Sequence, residues 1–370
     1  MKFSLKKTDL LLFELLRIAF ASNVKSAKLS MVPSADEWKS IYMLAKRQSV
    51  LGVVFSGIKK LPEEYRPERK SLLRWSLDAE GTVGMNKLLN QEAARLTRIF
   101  DAAGRKNAIL KGPANARLYP DPFSRQCGDI DIWVEGGRES VDSLLLDLNL
   151  VDKVEKTGAH HHVHLPKNKD GFITEVHYQP VAGVQVGARK LLRFLDEEIR
   201  KADLVPEGFY APSIKFALVM QLSHLQHHFF YRGLGLRQYA DYFVLLRNST
   251  EKDRLEAAVF IKSVYMERSC SAVMWLLAEV FGLESDQMLC APNAARGKRL
   301  LKLALEGGNF GRYSQKKKPQ NVFMRWFRDR LTAMSWLTFD PINAILTELH
   351  YWRLTLALVP ERIKRRKIAL

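Results

Sequence analysis

The sequence predicts an α+β fold, with a small mixed sheet and its helices in the middle of the chain and helical regions on both sides. Apolar residues recur at helical spacing before about residue 85 and again after about residue 205. Between these regions, short segments alternate polar and apolar residues at period two, as strands do. With 47% apolar and 10% aromatic residues among 370, the composition excludes a disordered chain and a fibrous repeat.

The first hundred residues are expected to be helical. Residues 2–22 resemble a signal peptide only superficially, because Asp9, Glu14 and Arg17 interrupt the apolar run. This segment is interpreted as an amphipathic helix with Thr8 or Asp9 as its N-cap. Further helices are expected from residue 35, over 51–58 and over 71–99. No stretch reaches the ~18 uninterrupted apolar residues of a membrane span, so none is predicted.

The middle of the chain changes to strand patterns. Strands are expected at Ala108–Leu110 and Gly128–Val134, and later at 151–156, 160–165 and 172–178, with a hairpin turn at 167–171. Short helices are expected at 114–118, with Pro113 in first position, and at 138–148. Helices then follow at 213–230, 236–247, 254–265, 269–281, 295–305, 322–336 and 341–358. The predicted organisation is a helical region at 1–85, a core at 86–204, a helical domain at 205–306 and a basic aromatic tail at 307–370.

Charge and cysteine content narrow the function classes. The net charge is +18, and residues 312–370 carry 13 Lys and Arg against 4 Asp and Glu, a net of +9. This tail predicts an anionic partner, either nucleic acid, an anionic membrane surface or an acidic protein, with a solvated helix face as the alternative. Three widely spaced cysteines exclude a disulfide scaffold and a Cys-rich zinc site. We expect a cytoplasmic protein, with peripheral attachment to the inner membrane surface as an option.

The first chemical motif is the pair Asp129 and Asp131 in the strand GDIDIWV. Residues two apart on a strand share a face and lie ~6–7 Å apart, so the two carboxylates repel unless a cation neutralises them. Carboxylates are the ligands that Mg²⁺ prefers, and two metal ions can activate an attacking oxygen and stabilise a leaving pyrophosphate. The alternative is an edge strand with two solvated acids.

Two further features support a metal and phosphate site. Lys111-Gly112-Pro113 stands at a strand-to-helix turn, where a glycine lets the backbone approach a phosphate and the helix N-terminus favours an anion. The alternative is an ordinary turn, and Pro113 removes one N–H donor. Glu175 lies in an apolar strand pattern, where a buried carboxylate needs a metal or a base beside it. It is therefore the natural third ligand for the Asp pair.

These pieces together resemble the nucleotidyltransferase superfamily to which DNA polymerase beta belongs. About residues 85–247 are similar to one branch of this superfamily, the bacterial family of uncharacterised nucleotidyltransferases. The residues that carry the resemblance are Lys111-Gly112, Tyr119-Pro120, Arg125, Asp129-Ile130-Asp131, Val134, Glu175-Val176-His177 and the segment Leu236-Arg237…Asp241. The resemblance implies a minimal polymerase-beta-like nucleotidyltransferase core.

The resemblance also implies roles for individual residues. Asp129 and Asp131 would hold two Mg²⁺ ions, with Mn²⁺ as a substitute, and Glu175 would be the third carboxylate and accept the proton of the attacking hydroxyl. The turn at Lys111 and Gly112 would hold the triphosphate of an NTP such as ATP. Arg125 would neutralise phosphate charge. Two departures bear on phosphate affinity and metal distance: Pro113 replaces the serine common in relatives, and the third acid is Glu where many have Asp.

Several other polar residues have either a functional or a purely structural interpretation. His177 is expected to share the face of Glu175 and line the cleft, and Arg237 and Asp241 are expected to form an i, i+4 pair with a place at the substrate site as the alternative. His160, His162 and His164 share a strand face, but zinc is disfavoured because no cysteine is near and the stretch is expected to pair with the Glu175 strand. A role of His162 or His164 near the substrate is the alternative. His224, His227 and His228 are expected to be buried with hydrogen bonds rather than to bind a metal. Cys127 is interpreted as a buried filler. The aromatic residues of the tail are expected mainly in the core, with an interfacial helix as the alternative.

The predicted function is transfer of a nucleoside monophosphate from an NTP to an unknown acceptor, such as a small molecule, a glycan precursor, a nucleic acid or a protein. Two alternatives remain open. The first is an inactive nucleotide- or partner-binding module of the same fold. The second is a nucleic-acid or membrane-surface protein that acts through the tail at 312–370, whose binding would fall steeply with salt.

Overall fold

A computed structural model of the chain describes residues 4–21, 27–153, 161–231, 233–313 and 322–368. Four helices come first: α1 (Lys7–Phe20), α2 (Ala35–Gln48), α3 (Leu51–Lys60) and α4 (Arg69–Ala102). The start of α2 is set by a capping box, in which the Ser34 hydroxyl accepts the Glu37 N–H and the Glu37 carboxylate accepts the Ser34 N–H at 2.8 Å. Thr250 and Asp253 form the same motif at a later helix.

The sheet has four strands in the order β1-β2-β4-β3. These strands are β1 (Asn107–Ile109), β2 (Ile130–Val134), β3 (His162–His164) and β4 (Thr174–His177). The one-turn helix α5 (Pro113–Ala116) and the helix α6 (Gly137–Asp147) lie between them in the chain. β2 pairs parallel with β4, while β1 pairs antiparallel with β2 and β3 pairs antiparallel with β4. The predicted mixed sheet is confirmed.

The two faces of the sheet differ in chemistry because the strands alternate. Ile130, Ile132 and Val134 are fully buried in a cluster with Val176 and with side chains of α4 and α6. The opposite face carries Asp131 on β2, Glu175 and His177 on β4, and His162 and His164 on β3. One face therefore anchors the sheet, and the other presents a patch of acids and imidazoles.

The second half of the chain is mainly helical. It contains α7 (Ala188–Ile199), the short strand pair β5 (Asp203–Leu204) and β6 (Tyr210–Ala211), α8 (Ile214–Tyr231), α9 (Leu236–Arg247), α10 (Glu251–Ser263), α11 (Glu267–Phe281), α12 (Ala294–Gly307), α13 (Val322–Ser335) and α14 (Pro341–Ile368). One hydrophobic cluster joins side chains of α1–α3 to side chains of α8–α12. Among the described residues, no helix combines the length and the apolar character needed to cross a membrane.

Several local predictions need correction. The expected N-cap of α1 is wrong, because Lys6 occupies that position and the Asp9 carboxylate, three residues later, accepts its N–H at 2.8 Å. The expected strand at 151–156 is not formed at 151–153, and 154–156 lie outside the described residues. The helix α7 and the β5–β6 pair were not predicted, although Leu191, Leu195 and Ile199 recur at helical spacing and are buried.

Candidate active site

The site is organised by the register of the two central strands. In the parallel pair β2–β4, Asp131 is the direct partner of Glu175. His177, two residues after Glu175, places its Nε2 atom 3.2 Å from Asp131 Oδ1 and 3.3 Å from Glu175 Oε2. A single imidazole therefore lies between the two carboxylates. Asp131, Glu175 and His177 bring their ligand atoms within 4.8 Å of one another.

A lysine completes the charge balance around Asp131. The Lys111 ammonium, from the turn after β1, forms an ion pair with the second oxygen of the Asp131 carboxylate. Burial opposes the ionisation of Asp131, but the charge of Lys111 and the hydrogen bond from His177 outweigh it and hold the pKa well below its usual range. Glu175 behaves similarly: burial raises its pKa, the His177 hydrogen bond lowers it, and the net pKa is lowered.

The same contacts raise the pKa of His177. Burial disfavours the imidazolium of His177, but the hydrogen bonds to Asp131 and Glu175 favour it more strongly, so its pKa is raised. The expectation that His177 shares the face of Glu175 and lines the cleft agrees with its position in this cluster. Its placement between two acids was not foreseen.

Asp129 lies one residue before β2 and lines the same cavity as Glu175 and His177. Burial raises its pKa, and the neighbouring charge of Asp131 raises it further. A carboxylate whose ionisation is opposed by a neighbouring carboxylate favours a cation between the two. Asp129 is therefore the acid of this cluster whose negative charge is least compensated by its surroundings.

The turn at Gly112 has a conformation suited to glycine. Its φ is +68°, and an added Cβ would meet the backbone oxygen of Asp129 at 3.2 Å. The close approach of this turn to the strand that carries the acids is thus built into the backbone. The following helix, α5, is present as predicted but contains four residues, so its dipole contributes little to anion binding.

Arg125 and Asp241 form a buried pair rather than two separate site groups. Both Asp241 oxygens accept hydrogen bonds from the Arg125 guanidinium, at 2.7 and 2.8 Å, and the Tyr119 hydroxyl donates to Oδ1 at 2.7 Å. The expected pair between Arg237 and Asp241 is therefore wrong, since Asp241 is already bound across 116 positions of sequence. The role of Arg125 in phosphate binding stays a prediction.

Arg237 instead reaches the loop before β2. Its guanidinium donates to the backbone oxygens of Cys127, at 2.7 Å, and Gln126, at 3.4 Å. Its Nε atom is buried and lacks a hydrogen-bond partner within the described part of the chain. Arg237 lines a pocket together with Lys111, Gly112 and Asp129, which we call the Arg237 pocket. A cation with an unpaired donor beside the glycine turn suits an anionic ligand.

A second cavity of about 370 Å³ lies between the polar face of the sheet and α8. Six of the eight histidines that the structure describes line it: His161, His162, His177, His224, His227 and His228. We call it the histidine cavity. Burial lowers the pKa of His161 to about 2 and of His162 to about 4, so both rings are neutral at pH 7. Lys111 and Asp129 line both cavities, so the two meet at these residues.

The gathering of these histidines in one cavity was not predicted from the sequence. The alternation of His162 and His164 and the helical spacing of His224, His227 and His228 were visible signals, but nothing in the sequence shows that β3 and α8 face one cavity. His160 lies outside the described residues. Cys127 is partly buried and donates to Asn86 Oδ1 at 3.1 Å, and burial raises the pKa of its thiol.

The chain belongs to the family described as "uncharacterised nucleotidyltransferase", whose profile matches residues 34–282. Among solved structures, it is similar to an antigenic nucleotidyltransferase-like protein from Paracoccidioides brasiliensis. That likeness has 15% sequence identity and a TM-score of 0.35, and it covers 56% of this chain and 95% of the other. No curated protein sequence matches the chain. Membership of the family agrees with the resemblance found in the sequence.

The buried pair Arg125–Asp241 leads to a stability prediction. Replacing Asp241 with Asn leaves the Arg125 guanidinium buried without a counter-charge, which we expect to lower the free energy of unfolding by about 3–5 kcal/mol. Both side chains are at most 7% exposed, so solvent cannot compensate. Urea denaturation measures the change.

The matched control is Asp196→Asn, which removes a carboxylate that is 54% exposed and paired with Arg200. It should change stability by less than about 1 kcal/mol. The double variant Arg125→Met/Asp241→Leu should recover most of the loss, because it removes both buried charges. Equal effects of Asp241→Asn and Asp196→Asn would contradict this description of the pair.

Proposed function

We propose that this chain is a Mg²⁺-dependent nucleotidyltransferase that transfers a nucleoside monophosphate from an NTP to an acceptor and releases pyrophosphate. The observation that carries the proposal is the placement of Asp131 and Glu175 as direct partners on adjacent parallel strands, with Asp129 at the same cavity. Carboxylates gathered in this way, in a chain of a nucleotidyltransferase family, suit a metal-bound triphosphate.

The residues present fit a divalent cation. Asp131, Glu175 and His177 already bring ligand atoms within 4.8 Å, and Asp129 adds a carboxylate whose pKa is raised by burial and by the charge of Asp131. Oxygen ligands of this kind suit Mg²⁺ or Mn²⁺. We assign Asp129, Asp131 and Glu175 as the ligands. Bound there, the metal would act as a Lewis acid and neutralise charge on the phosphates.

The Arg237 pocket is assigned to the triphosphate. Gly112 keeps the backbone free of side-chain atoms, and Lys111 and Arg237 supply positive charge from two sides. The unpaired Nε of Arg237 is a donor that a phosphate oxygen would satisfy. Arg125 lines the same pocket, but its hydrogen bonds to Asp241 suggest that it mainly positions α9.

The chemistry proposed for the site is one displacement at phosphorus. An acceptor oxygen attacks the α-phosphorus, the new O–P bond forms, and the bond from the α-phosphorus to the bridging oxygen breaks. The electron pair of that bond leaves with pyrophosphate, and the Glu175 carboxylate receives the proton of the attacking hydroxyl. His177 holds Glu175 in position through its 3.3 Å contact.

The acceptor would enter through the histidine cavity, which adjoins Asp129 and Glu175. Its volume of about 370 Å³ falls within the ~300–1,000 Å³ of small-molecule sites. A reaction that consumes an NTP belongs in the cytoplasm, where we place the protein. A binding module that keeps the fold without the chemistry is the competing function. It gives no reason for the carboxylate of Asp129, whose ionisation is opposed by burial and by the charge of Asp131.

Nucleotide binding is the first property to test. We expect one or more of ATP, CTP, GTP and UTP to raise the melting temperature by a few degrees in the presence of Mg²⁺. A ligand at 100 times its dissociation constant adds ~2.7 kcal/mol to stability. The shift should disappear without Mg²⁺ and in Asp129→Asn, a substitution that removes a carboxylate with a raised pKa and so should leave the metal-free protein folded.

Asp203→Asn is the control, because Asp203 is an exposed aspartate at the strand pair β5–β6. It should retain the full Mg²⁺-dependent shift. The proposal fails if no nucleotide stabilises the wild-type protein, or if Asp129→Asn keeps the same shift as Asp203→Asn.

A further inference from the structure

We propose that the β3–β4 hairpin holds a second metal site, made by His162, His164 and Glu175, that selects a divalent transition-metal ion such as Zn²⁺ over Mg²⁺. The ligand atoms of these three residues lie within 4.8 Å of one another. His162 Nε2 is 3.8 Å from Glu175 Oε2, and His164 Nδ1 is 3.8 Å from Glu175 Oε1. The site shares Glu175 with the proposed active site but does not depend on nucleotide transfer.

The distances are close to those of a bound ion. Zinc bonds to imidazole nitrogen and carboxylate oxygen are ~2.0–2.2 Å, so ligand atoms of a tetrahedral site lie ~3.4 Å apart. The two distances of 3.8 Å run to different oxygens of the Glu175 carboxylate, so each histidine nitrogen lies about 0.4 Å beyond this spacing from one of them.

The hairpin holds the ligands in place. β3 and β4 are paired antiparallel, with His164 directly opposite Glu175, and Val163 between the two histidines is buried. His162 and His164 therefore point to one face by the alternation of the strand. Backbone pairing and a buried anchor reduce the entropy that would otherwise be lost when an ion gathers its ligands.

The donor set argues for a transition metal. Two imidazoles and one carboxylate suit zinc and its neighbours, whereas Mg²⁺ favours oxygen ligands alone. The His164 side chain is 52% exposed, so an ion can reach the site from solvent.

Calorimetric titration of the metal-free full-length protein with Zn²⁺ tests the proposal in the absence of nucleotide. We expect Zn²⁺ binding that persists in excess Mg²⁺ and weakens at least about tenfold in His164→Gln. Because His164 is half exposed, this substitution should leave the fold intact, which the melting temperature checks. Co²⁺ provides a second readout through its visible absorption, which should change in the same variant.

His350→Gln is the control, since His350 lies on α14 outside the histidine cavity. It should bind Zn²⁺ as the wild-type protein does. Equal Zn²⁺ affinity of His164→Gln and His350→Gln would overturn the proposal, and so would displacement of Zn²⁺ by an equal concentration of Mg²⁺. Loss of nucleotide binding with retention of this site would sink the proposed function alone.

An independent observation concerns α13 and α14. Exposed large apolar residues recur along both helices at steps of three and four, with exposed fractions from 39% to 65%. We call them the apolar stripes: Met324, Phe327, Leu331 and Met334 on α13, and Ile342, Ile345, Leu349, Trp352 and Leu356 on α14. The other aromatic residues Trp336 and Phe339 are buried, as expected for core.

The two stripes lie on one side of an antiparallel helix pair. Arg330 pairs with Glu348 and stacks on Tyr351, and Trp326 contacts Trp352, so the helices run in opposite directions. On each helix, the apolar stripe lies about a quarter of a turn around the helix axis from the side chains that contact the other helix. The rotation has the same sense on both helices. In an antiparallel pair this places both stripes on the same surface.

We infer that this surface docks on an anionic lipid membrane. The net charge of +9 in residues 312–370 complements anionic headgroups and would repel a second copy of the chain. Arg353 follows Trp352 on α14 and is exposed, and a long basic side chain of this kind can reach phosphate while its stem covers apolar surface. A nucleic acid offers the same charge but no use for nine exposed apolar side chains.

Sedimentation with vesicles distinguishes these partners. The full-length protein should bind phosphatidylglycerol-containing vesicles and not pure phosphatidylcholine vesicles. Leu331→Ser/Leu349→Ser should weaken binding at least about tenfold, because both residues lie in the apolar stripes. The control is Leu73→Ser/Leu77→Ser on α4, two leucines that are 60% and 65% exposed outside this surface.

Three results would overturn the membrane inference. The first is equal vesicle binding by the two double variants. The second is a concentration-dependent dimer, seen by analytical ultracentrifugation, that only Leu331→Ser/Leu349→Ser abolishes and that binds no vesicle. The third is RNA binding that is unchanged in Leu331→Ser/Leu349→Ser, with no vesicle binding.

Discussion

The candidate site depends on one electrostatic constraint, the neutralisation of the buried carboxylate of Asp131. Asp131 is only 2% exposed and is paired in register with another acid, Glu175. A buried carboxylate beside a second, partly buried one is stable only with positive charge next to it. The Lys111 ammonium and the shared His177 ring supply this charge, and both come from elements next to β2. The Lys111 turn, β2 and the two acids therefore form one electrostatic unit.

A second buried pair links that unit to the helical region. Arg125 precedes the acid strand, and Asp241 lies on α9, which is buried along nearly its whole length. Arg237 on the same helix binds the backbone at Cys127, two residues before Asp129. The position of Asp129 is thus tied to α9 through two arginines. The same helix places the Arg237 side chain, whose buried Nε lacks a partner among the described residues, at the pocket that we assign to the triphosphate.

Sequence patterns predicted the parts that depend on local periodicity. The alternation around Asp129 and Asp131 indicated the strand and its faces, and the spacing of Glu175 and His177 placed both on one face of the neighbouring strand. The partner of Asp241 could not be predicted in this way. Helical spacing suggested Arg237, four residues away, whereas the structure shows Arg125, 116 residues away. Contacts between distant segments leave no periodic signal in a single sequence.

The histidines also show that a single sequence does not reveal contacts between separate segments. The His162–His164 alternation is visible in the sequence, but zinc was disfavoured because no cysteine is near. The structure places Glu175 opposite His164 across the hairpin, and its carboxylate is the third ligand of the zinc site that we propose. Phe327 and Trp352 of the apolar stripes were likewise expected mainly in the core, with an interfacial helix as the alternative. Composition alone does not tell which side of a helix the rest of the chain covers.

Nucleotidyl transfer itself is tested most directly with labelled NTPs. The full-length protein, Mg²⁺ and the nucleotide that binds are incubated with the small-molecule, RNA and protein fractions of a cell extract, using label in the α- or the γ-phosphate. The account predicts that α-label enters a product in one fraction while γ-label is released only as pyrophosphate. Transfer of γ-label, or binding of the nucleotide without transfer of α-label to any fraction, would contradict it.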